Sequence, residues 1–370
     1  MFSAPNSYNE KVRSWDVIIV GGGIIGLSLS LSLRKRGLRV LVVERSEPGH
    51  EASSAAAGML ADCMLETPRA LQPLASASAR MYPDFVHELQ DESGEDVDLR
   101  DQGTIVFPPS NQVCERPSFD GERLLPQPLF DLEPGLTDPG HLALFLKERS
   151  VDPRALVHAA IKAAKHRGVD VASGTRVNEL LFTQGRCVGI KTEKTTYSGG
   201  SVVNCAGAWA GEVSPFPIPT RPVKGQMLCV IDPSRDLLRH VVRSPEVYLV
   251  PRSDGRIVIG ATIEHVGFDK RTDPDTIQRL HQAAIRIFPS LKRTLVHDAW
   301  AGLRPGTPDD LPILGQCDAP GYFVATGHYR DGILLAPITA HLVARLVTGQ
   351  ATDYNLSAFA PARFLALKRA

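Results

Sequence analysis

The chain carries no net charge: 41 Lys and Arg balance 41 Asp and Glu over 370 residues. Nothing in that balance draws it to nucleic acid or to an anionic membrane surface. It also lacks any C-x-x-C. Its six cysteines (Cys63, Cys114, Cys187, Cys205, Cys229 and Cys317) are scattered, with no Cys/His spacing that reads as a zinc site. That usage fits a reducing compartment, and so a cytoplasmic protein with no structural metal. No low-complexity tract or internal repeat is present. The 28 Pro and 31 Gly favour tight turns over disorder. A long hydrophobic span is missing too. One uncharged run, residues 17–33, follows Lys11 and Arg13 and could be read as a signal peptide or a membrane helix. It is only marginally long for a bilayer, which needs about 20 residues. Three consecutive glycines, alternating serines, Asp16 in the basic flank and the lack of a cleavage site argue against both.

What remains is a chain of ordinary globular composition, 43% apolar and 22% charged, long enough for two domains. Its informative stretch is W-D-V-I-I-V-G-G-G-I-I-G, from Trp15 to Gly26. Asp16–Val20 is rich in β-branched residues and suits a buried parallel strand. Gly21, Gly23 and Gly26 form G-x-G-x-x-G. Residues 24–36 have helical length, Gly37 suits a helix end, and Arg39–Val43 is a second apolar run closed by Glu44. In a dinucleotide-binding unit Gly21 permits the turn, Gly23 lets a pyrophosphate reach the backbone, and Gly26 lets helix and strand touch. The helix N-terminus offers N–H groups to the phosphates. Glu44 can accept from ribose hydroxyls and disfavours a 2′-phosphate.

Further along, residues 67–92 read as helix. Asp152 and Asp273 look like N-caps, with Pro153 and Pro274 at the first helical position. Tyr248–Pro251 and Arg256–Ala261 flank S-D-G and read as a hairpin. Strands are expected near Ile313 and at Tyr322–Ala325, with a last helix from about Asp331 to Thr348. The small residues 52–58 fit either a tight helix–helix contact or a helix N-terminus against a cofactor, capped by Ser53 or Ser54.

Four motifs occur in a fixed order: the glycine motif, V-V-N-C-A-G-A-W-A (202–210), A-G-L-R-P-G-T-P-D-D-L-P-I-L-G (301–315) and G-H-Y-R-D-G-I-L-L-A-P (327–337). Together they resemble the FAD-dependent amine oxidases related to D-amino acid oxidase, and within them the glycine oxidases associated with thiamine thiazole synthesis. The resemblance spans Trp15 to Gly349. It implies an α/β fold: a Rossmann-like FAD-binding domain (14–65, 150–214 and 296–360) with a mostly antiparallel α+β substrate-binding domain (66–149 and 215–295). Residues 1–13 read as a loose extension.

The resemblance also implies FAD rather than NAD. It places the cofactor against Gly21, Gly23, Ile24, Ile25, Gly26, Glu44 and Arg45, then Ser53, Ser54, Ala57, Gly58 and Met59. Val177, Cys205, Ala206, Gly207 and Trp209 follow, and finally Gly327, His328, Tyr329, Arg330, Asp331, Gly332, Ile333 and Leu334. Backbone N–H groups of 331–334 would face the flavin ring. Gly302 stands where some relatives carry a flavin-linking cysteine, so the FAD is expected to be non-covalent. Arg304 matches the arginine that binds the substrate carboxylate, assisted by Arg330 and Tyr248. Asp331 could instead pair with Arg330, and Tyr248 could be a packed strand tyrosine. No general base is assigned. For His328 a structural hydrogen bond is favoured over proton transfer.

The implied reaction is hydride loss from a small amino acid to flavin N5, imine hydrolysis, and reoxidation by O2 to H2O2. Ile263, where glycine oxidases often have methionine, and Glu246, near Tyr248, leave glycine, sarcosine and small D-amino acids open as substrates. Alternatives are a flavin dehydrogenase with another electron acceptor, an FAD-binding partner subunit without activity, and an NAD enzyme. A homo-oligomer is implied by the relatives alone.

Overall fold

The computed structural model describes residues 14–62, 67–109, 122–137 and 142–369. The expected N-terminal extension, Cys63, Cys114 and Pro139 lie outside the described residues.

The fold is organised by two large sheets. In the first, Ser14–Val20 lies between Thr196–Asn204 and Val40–Val43, parallel to both, and Asp170–Ala172 extends the row. Tyr322–Thr326 joins in parallel on the far side of Thr196–Asn204. The hairpin Val177–Thr183 and Arg186–Thr192 closes one edge. The apolar runs of the sequence become this sheet because both of its faces are covered, as parallel strands require. Val17, Ile18, Ile19 and Val20 are all buried. The helix Ile24–Lys35 has no polar face over most of its length, because helices pack around it; even Ser28 and Ser30 are buried.

The second sheet is mostly antiparallel. Its order is Val296–Gly306, Arg221–Ile231, Arg256–Gly260, Tyr248–Pro251, Val241–Arg243, Thr104–Val106, Ala143–Leu146 and Glu122–Leu124. The expected hairpin is present, with Tyr248 opposite Gly260. Both expected N-caps form. Asp152 accepts from the Arg154 amide at 2.9 Å and Asp273 from the Thr276 amide at 3.0 Å.

Three expectations are corrected. Val296–Gly306 is one long strand paired with Arg221–Ile231, so a stretch expected with the dinucleotide domain begins in the other sheet. Helix Gln72–Ser93, expected in the substrate domain, buries Leu74, Tyr82, Val86 and Leu89 in the same core as helix Ile24–Lys35. The final helix begins at Ala336 rather than Asp331. The chain from Tyr329 to Leu335 runs as consecutive turns, because the Asp331 and Leu335 amides bond to His328 O and Asp331 O.

Candidate active site

A cleft runs along the C-terminal ends of the parallel strands, where open α/β sheets bind ligands. One end is the glycine turn. Gly21 has φ of +109°, and a Cβ there would stand 2.4 Å from Cys205 O. Only glycine lets the turn lie against the 202–210 motif. At Gly26 a Cβ would meet Gly21 O at 2.1 Å, so this residue shapes the turn from behind and does not line the cleft.

The helix at this end has Gly23 as its N-cap, with no side chain of its own to cap it. Ser53 supplies the missing acceptor, taking the Ile24 amide at 3.0 Å. The expectation that Ser53 or Ser54 caps a helix in 52–58 is thereby corrected. That helix is a single turn, Ala52–Ala55, with no side-chain cap, and the Ser54 hydroxyl donates to Gly49 O. Glu44 ends the second strand. Its carboxylate accepts from the Gly22 amide at 2.8 Å and the Ser46 amide at 2.9 Å, which fixes it at the cleft wall. Arg45 lies 3.5 Å from the centroid of the Trp209 ring, and Trp209 in turn stacks on Phe268 at 5.0 Å.

The other end is walled by the turns after Gly327. Tyr82 donates its hydroxyl to Ile333 O and Ser78 to Leu334 O, both at 2.6 Å. These two bonds hold the Ile333 and Leu334 carbonyls of the segment. The amides of Gly332, Ile333 and Leu334 take no part in its turn bonding. Gly332 and Ile333 line the cleft; Leu334, Asp331, Gly327 and Ser54 do not.

His328 is buried, with Nε2 3.1 Å from Thr339 Oγ1, and desolvation lowers its pKa to about 3. It is held neutral, as a structural contact. Burial pushes the Asp331 carboxyl up to about 6, against the pull of the Arg330 charge. Arg330 itself is exposed at the rim, its guanidinium 5.2 Å from the Tyr329 ring centroid.

Between these ends lies the second sheet, and its contribution comes from strand pairing. On one face Gly302 pairs with Gly225, Met227 with Gly260, and Gly260 with Tyr248. Three glycines on adjacent strands make a floor on which other side chains lie directly: Arg304 over Gly225, Met227 and Tyr248 over Gly260, and Ala55 over Gly302. Arg304, one turn of the pleat from Gly302, lies across Gly225: a Cβ there would stand 2.3 Å from the guanidinium. Arg304 Nη1 donates to Thr262 O at 3.1 Å, which aims the side chain. Thr262 is itself pinned, its hydroxyl donating to Glu264 at 2.5 Å and accepting from the Gln226 amide at 2.8 Å. The Tyr248 hydroxyl lies 3.2 Å from the Met227 sulfur. Burial raises its pKa, and the positive charge of Arg304 beside it pulls the other way.

The remaining residues named from the sequence also reach this cleft. Gly23, Ile24, Ile25, Arg45, Ser53, Ala57, Gly58, Met59, Val177, Cys205, Ala206, Gly207, Trp209, His328, Tyr329, Arg330, Tyr248 and Arg304 line it. Glu246 does not. It is exposed and pairs with Arg286 at 2.5 Å, so it adds no charge at the mouth. Ile263 is 54% exposed and also lies off the cleft wall. Cys317 is buried away from the cleft, its thiol pushed up to about 12 by burial. Met227, Gly225 and Asn178 line the cleft without any motif to mark them in the sequence. The alternation Gly225, Met227 along the apolar run Arg221–Ile231 is the signal that could put the first two on one face.

The neutral state of His328 has a consequence for stability. A folded-state pKa below the unfolded value of about 6.5 means the unfolded chain binds the extra proton. The stability tied to this residue is present above pH 6.5 and is lost as pH falls toward 3. His328→Gln should therefore flatten the acid-side fall in Tm between pH 6.5 and 4. An unchanged slope in thermal melts across that range would remove His328 from the account.

The residues present fit a dinucleotide. A side-chain-free turn, a helix N-terminus without its own cap and a carboxylate at the end of the second strand face one cleft. The family described as FAD dependent oxidoreductase matches residues 16–346. The bifunctional protein ThiO/ThiG of Trichormus variabilis is 38% identical over 94% of this chain, which spans about half (55%) of that protein's length. The hydrogen cyanide synthase subunit HcnC of Pseudomonas aeruginosa is 33% identical, over 95% of this chain and 97% of its own. Among solved structures, glycine oxidase from Geobacillus kaustophilus superposes with a TM-score of 0.89 at 32% identity, covering 95% of this chain and 99% of its own. Among the described residues no helix is long and apolar enough to cross a membrane. With the family match covering most of the chain and the cleft built for a dinucleotide, the protein belongs to the FAD-dependent oxidoreductases of the D-amino acid oxidase type.

Proposed function

We propose that the protein oxidises glycine, or another small primary or secondary amino acid, to the oxo acid and ammonia (or, from a secondary amine, the alkylamine), with O2 as electron acceptor and H2O2 as its product. The observation that carries this reading is Arg304, a guanidinium aimed from a floor of three glycines into a dinucleotide cleft, beside the Tyr248 hydroxyl. A guanidinium there is charged at any working pH and can grip a carboxylate with two parallel hydrogen bonds. Likeness to glycine oxidase, and to a relative named for ThiO, supports glycine as substrate and thiamine thiazole synthesis in the cytoplasm as its use.

FAD would sit, non-covalently, against the glycine turn, Glu44, Arg45, residues 53–59, Val177, residues 205–209 and the turns from His328 to Leu334. When bound it supplies the hydride acceptor and the route of electrons to O2. The chain's own work is positional. Arg304 holds the carboxylate, and Tyr248 and Arg330 assist. The leftover amides of Gly332 and Ile333 and the dipole of the helix behind them favour negative charge at the cleft end. No proton is moved by His328, which is neutral and bonded to Thr339. Catalysis on this reading is mainly orientation and electrostatics.

The test is anaerobic absorbance of the purified protein with glycine, sarcosine and D-alanine added in turn. Bleaching by glycine and recovery in air, with one H2O2 per turnover, is the expected result. Bleaching without recovery in air would replace the oxidase by a dehydrogenase using another acceptor. A flavin spectrum that no amine alters would leave only the family and the fold.

A further inference from the structure

Arg304 takes its direction from two carbonyls. Its Nη1 donates to Thr262 O at 3.1 Å and to Lys224 O at 3.4 Å. Thr262 lies outside the strands, in the segment between Arg256–Gly260 and helix Pro274–Ile287. Backbone bonds tie that segment to the strand Arg221–Ile231. The Thr262 amide donates to Gln226 O at 3.3 Å, the Glu264 amide to Lys224 O at 2.9 Å, and the Lys224 amide to Glu264 O at 2.9 Å.

Side chains behind the sheet complete the tie. Along Arg221–Ile231, Gly225 and Met227 line the cleft, and Lys224 and Gln226 do not. Glu264 joins the latter pair. Its Oε1 accepts from the Thr262 hydroxyl at 2.5 Å and from Gln226 Nε2 at 2.9 Å, and its Oε2 stands 3.5 Å from Lys224 Nζ. Gln226 in turn accepts the Asp273 amide at 2.7 Å. Lys224 is buried, and its charge also acts on Asp269, which Arg271 holds. Burial opposes the charge on Glu264. The bonds from Thr262 and Gln226 and the Lys224 ammonium outweigh it and hold the carboxyl below its usual range. Both residues whose carbonyls hold Arg304 are thus gripped by one carboxylate, and neither Thr262 nor Glu264 lines the cleft.

We propose that Glu264 is a positioning residue of the carboxylate site: from behind the sheet it fixes Thr262, and Thr262 O fixes the guanidinium of Arg304. The 3.3 Å bond at the Thr262 amide is long, and the hydroxyl bond to Glu264 sets the orientation of the residue. A guanidinium grips a carboxylate by two parallel bonds only when its plane is set, so a small rotation costs affinity. This role rests on Arg304 as the carboxylate holder, whichever amino acid is oxidised.

Acetate titrated into the flavin-loaded protein, followed by flavin absorbance, reads the site without turnover. Wild type should respond and Arg304→Ala should not. Glu264→Ala should weaken acetate about tenfold, the scale of one hydrogen bond to a charged group. Glu264→Gln, which keeps an oxygen for the Thr262 hydroxyl, should bind acetate more tightly than Glu264→Ala. KM for glycine should rise with the acetate dissociation constant, while flavin content stays at the wild-type level. Thr262→Val keeps the carbonyl and loses the hydroxyl. It should weaken acetate similarly, and adding Glu264→Ala should cost little more, since both break the same bond. Wild-type acetate affinity in Glu264→Ala, a Glu264→Gln protein no better than Glu264→Ala, or two losses that simply add would overturn the role of Glu264. No response in wild type, or an equal response in Arg304→Ala, would instead remove Arg304 as the carboxylate holder. Should Glu264→Ala fail to fold, Thr262→Val decides, and acetate affinity equal to wild type there would sink the proposal.

Discussion

Arg304→Ala should cut kcat/KM for glycine by roughly 30- to 4,000-fold, with most of the loss in KM. Removing one partner of a desolvated, hydrogen-bonded charge pair costs about 2–5 kcal/mol, and each 1.4 kcal/mol is tenfold. The guanidinium is anchored at Nη1 by Thr262 O and Lys224 O, which leaves Nε and Nη2 for a ligand beside Tyr248. Arg304→Lys should recover little, because an ammonium keeps the charge but loses the planar fork. Flavin content should be unchanged in both variants, since Arg304 rides on the antiparallel sheet and not on the glycine turn. Steady-state peroxide formation against glycine concentration gives the answer; kinetics equal to wild type would remove Arg304 from the site.

The second large effect is expected at the other end of the cleft. Gly21→Val should yield a protein that purifies without most of its flavin. The backbone at Gly21 has φ of +109°, which a β-branched residue does not tolerate. The added Cβ would also meet Cys205 O at 2.4 Å. Relief requires the first strand and the 202–210 motif to separate, and that opens the phosphate end of the cleft. Gly37→Asn is the control. Gly37 also has positive φ, +79°, but no atom lies within 4 Å of the place a Cβ would take, and asparagine accepts that conformation. The ratio of flavin to protein absorbance after purification, and again after incubation with excess FAD, separates the two. A fully yellow Gly21→Val protein would mean that the turn is not the phosphate cradle.

The parallel half of the molecule is legible in the sequence because its signals are local. Strand, glycine turn, helix and acid lie within about thirty residues, and each residue type has one physical task there. N-caps at Asp152 and Asp273 are legible for the same reason. What cannot be read is what depends on distant pairing. The bonds from Ser78 and Tyr82 to Leu334 O and Ile333 O join residues 256 and 251 positions apart. They carry helix Gln72–Ser93 into the dinucleotide core, although its sequence shows only an amphipathic helix following a loop. The last helix starts later than its sequence suggests because Asp331–Leu335 has helical composition, while its turns are set by tertiary bonds. Arg304 can be named from its motif, but not the reason it points inward. That reason is Gly225, on a different strand and 79 residues earlier. Ser53 has the expected chemistry on an unexpected helix, since capping across a chain reversal leaves no local spacing to read.

The glycine floor of Gly225, Gly260 and Gly302, on which Arg304, Met227, Tyr248 and Ala55 already lie, sets a direction for change in substrate range. A residue with no side chain cannot be trimmed, so no substitution on the floor can enlarge the space above it. Every replacement there subtracts volume, and at Gly260 the first atom added already meets Met227 and the Tyr248 hydroxyl at 2.6 Å. Wider acceptance has to come from the walls, by shortening Met227 or Tyr248. Selection for bulkier amino acids would thus act on those two positions, while the glycines stay fixed as a lower bound on how shallow the trough can be.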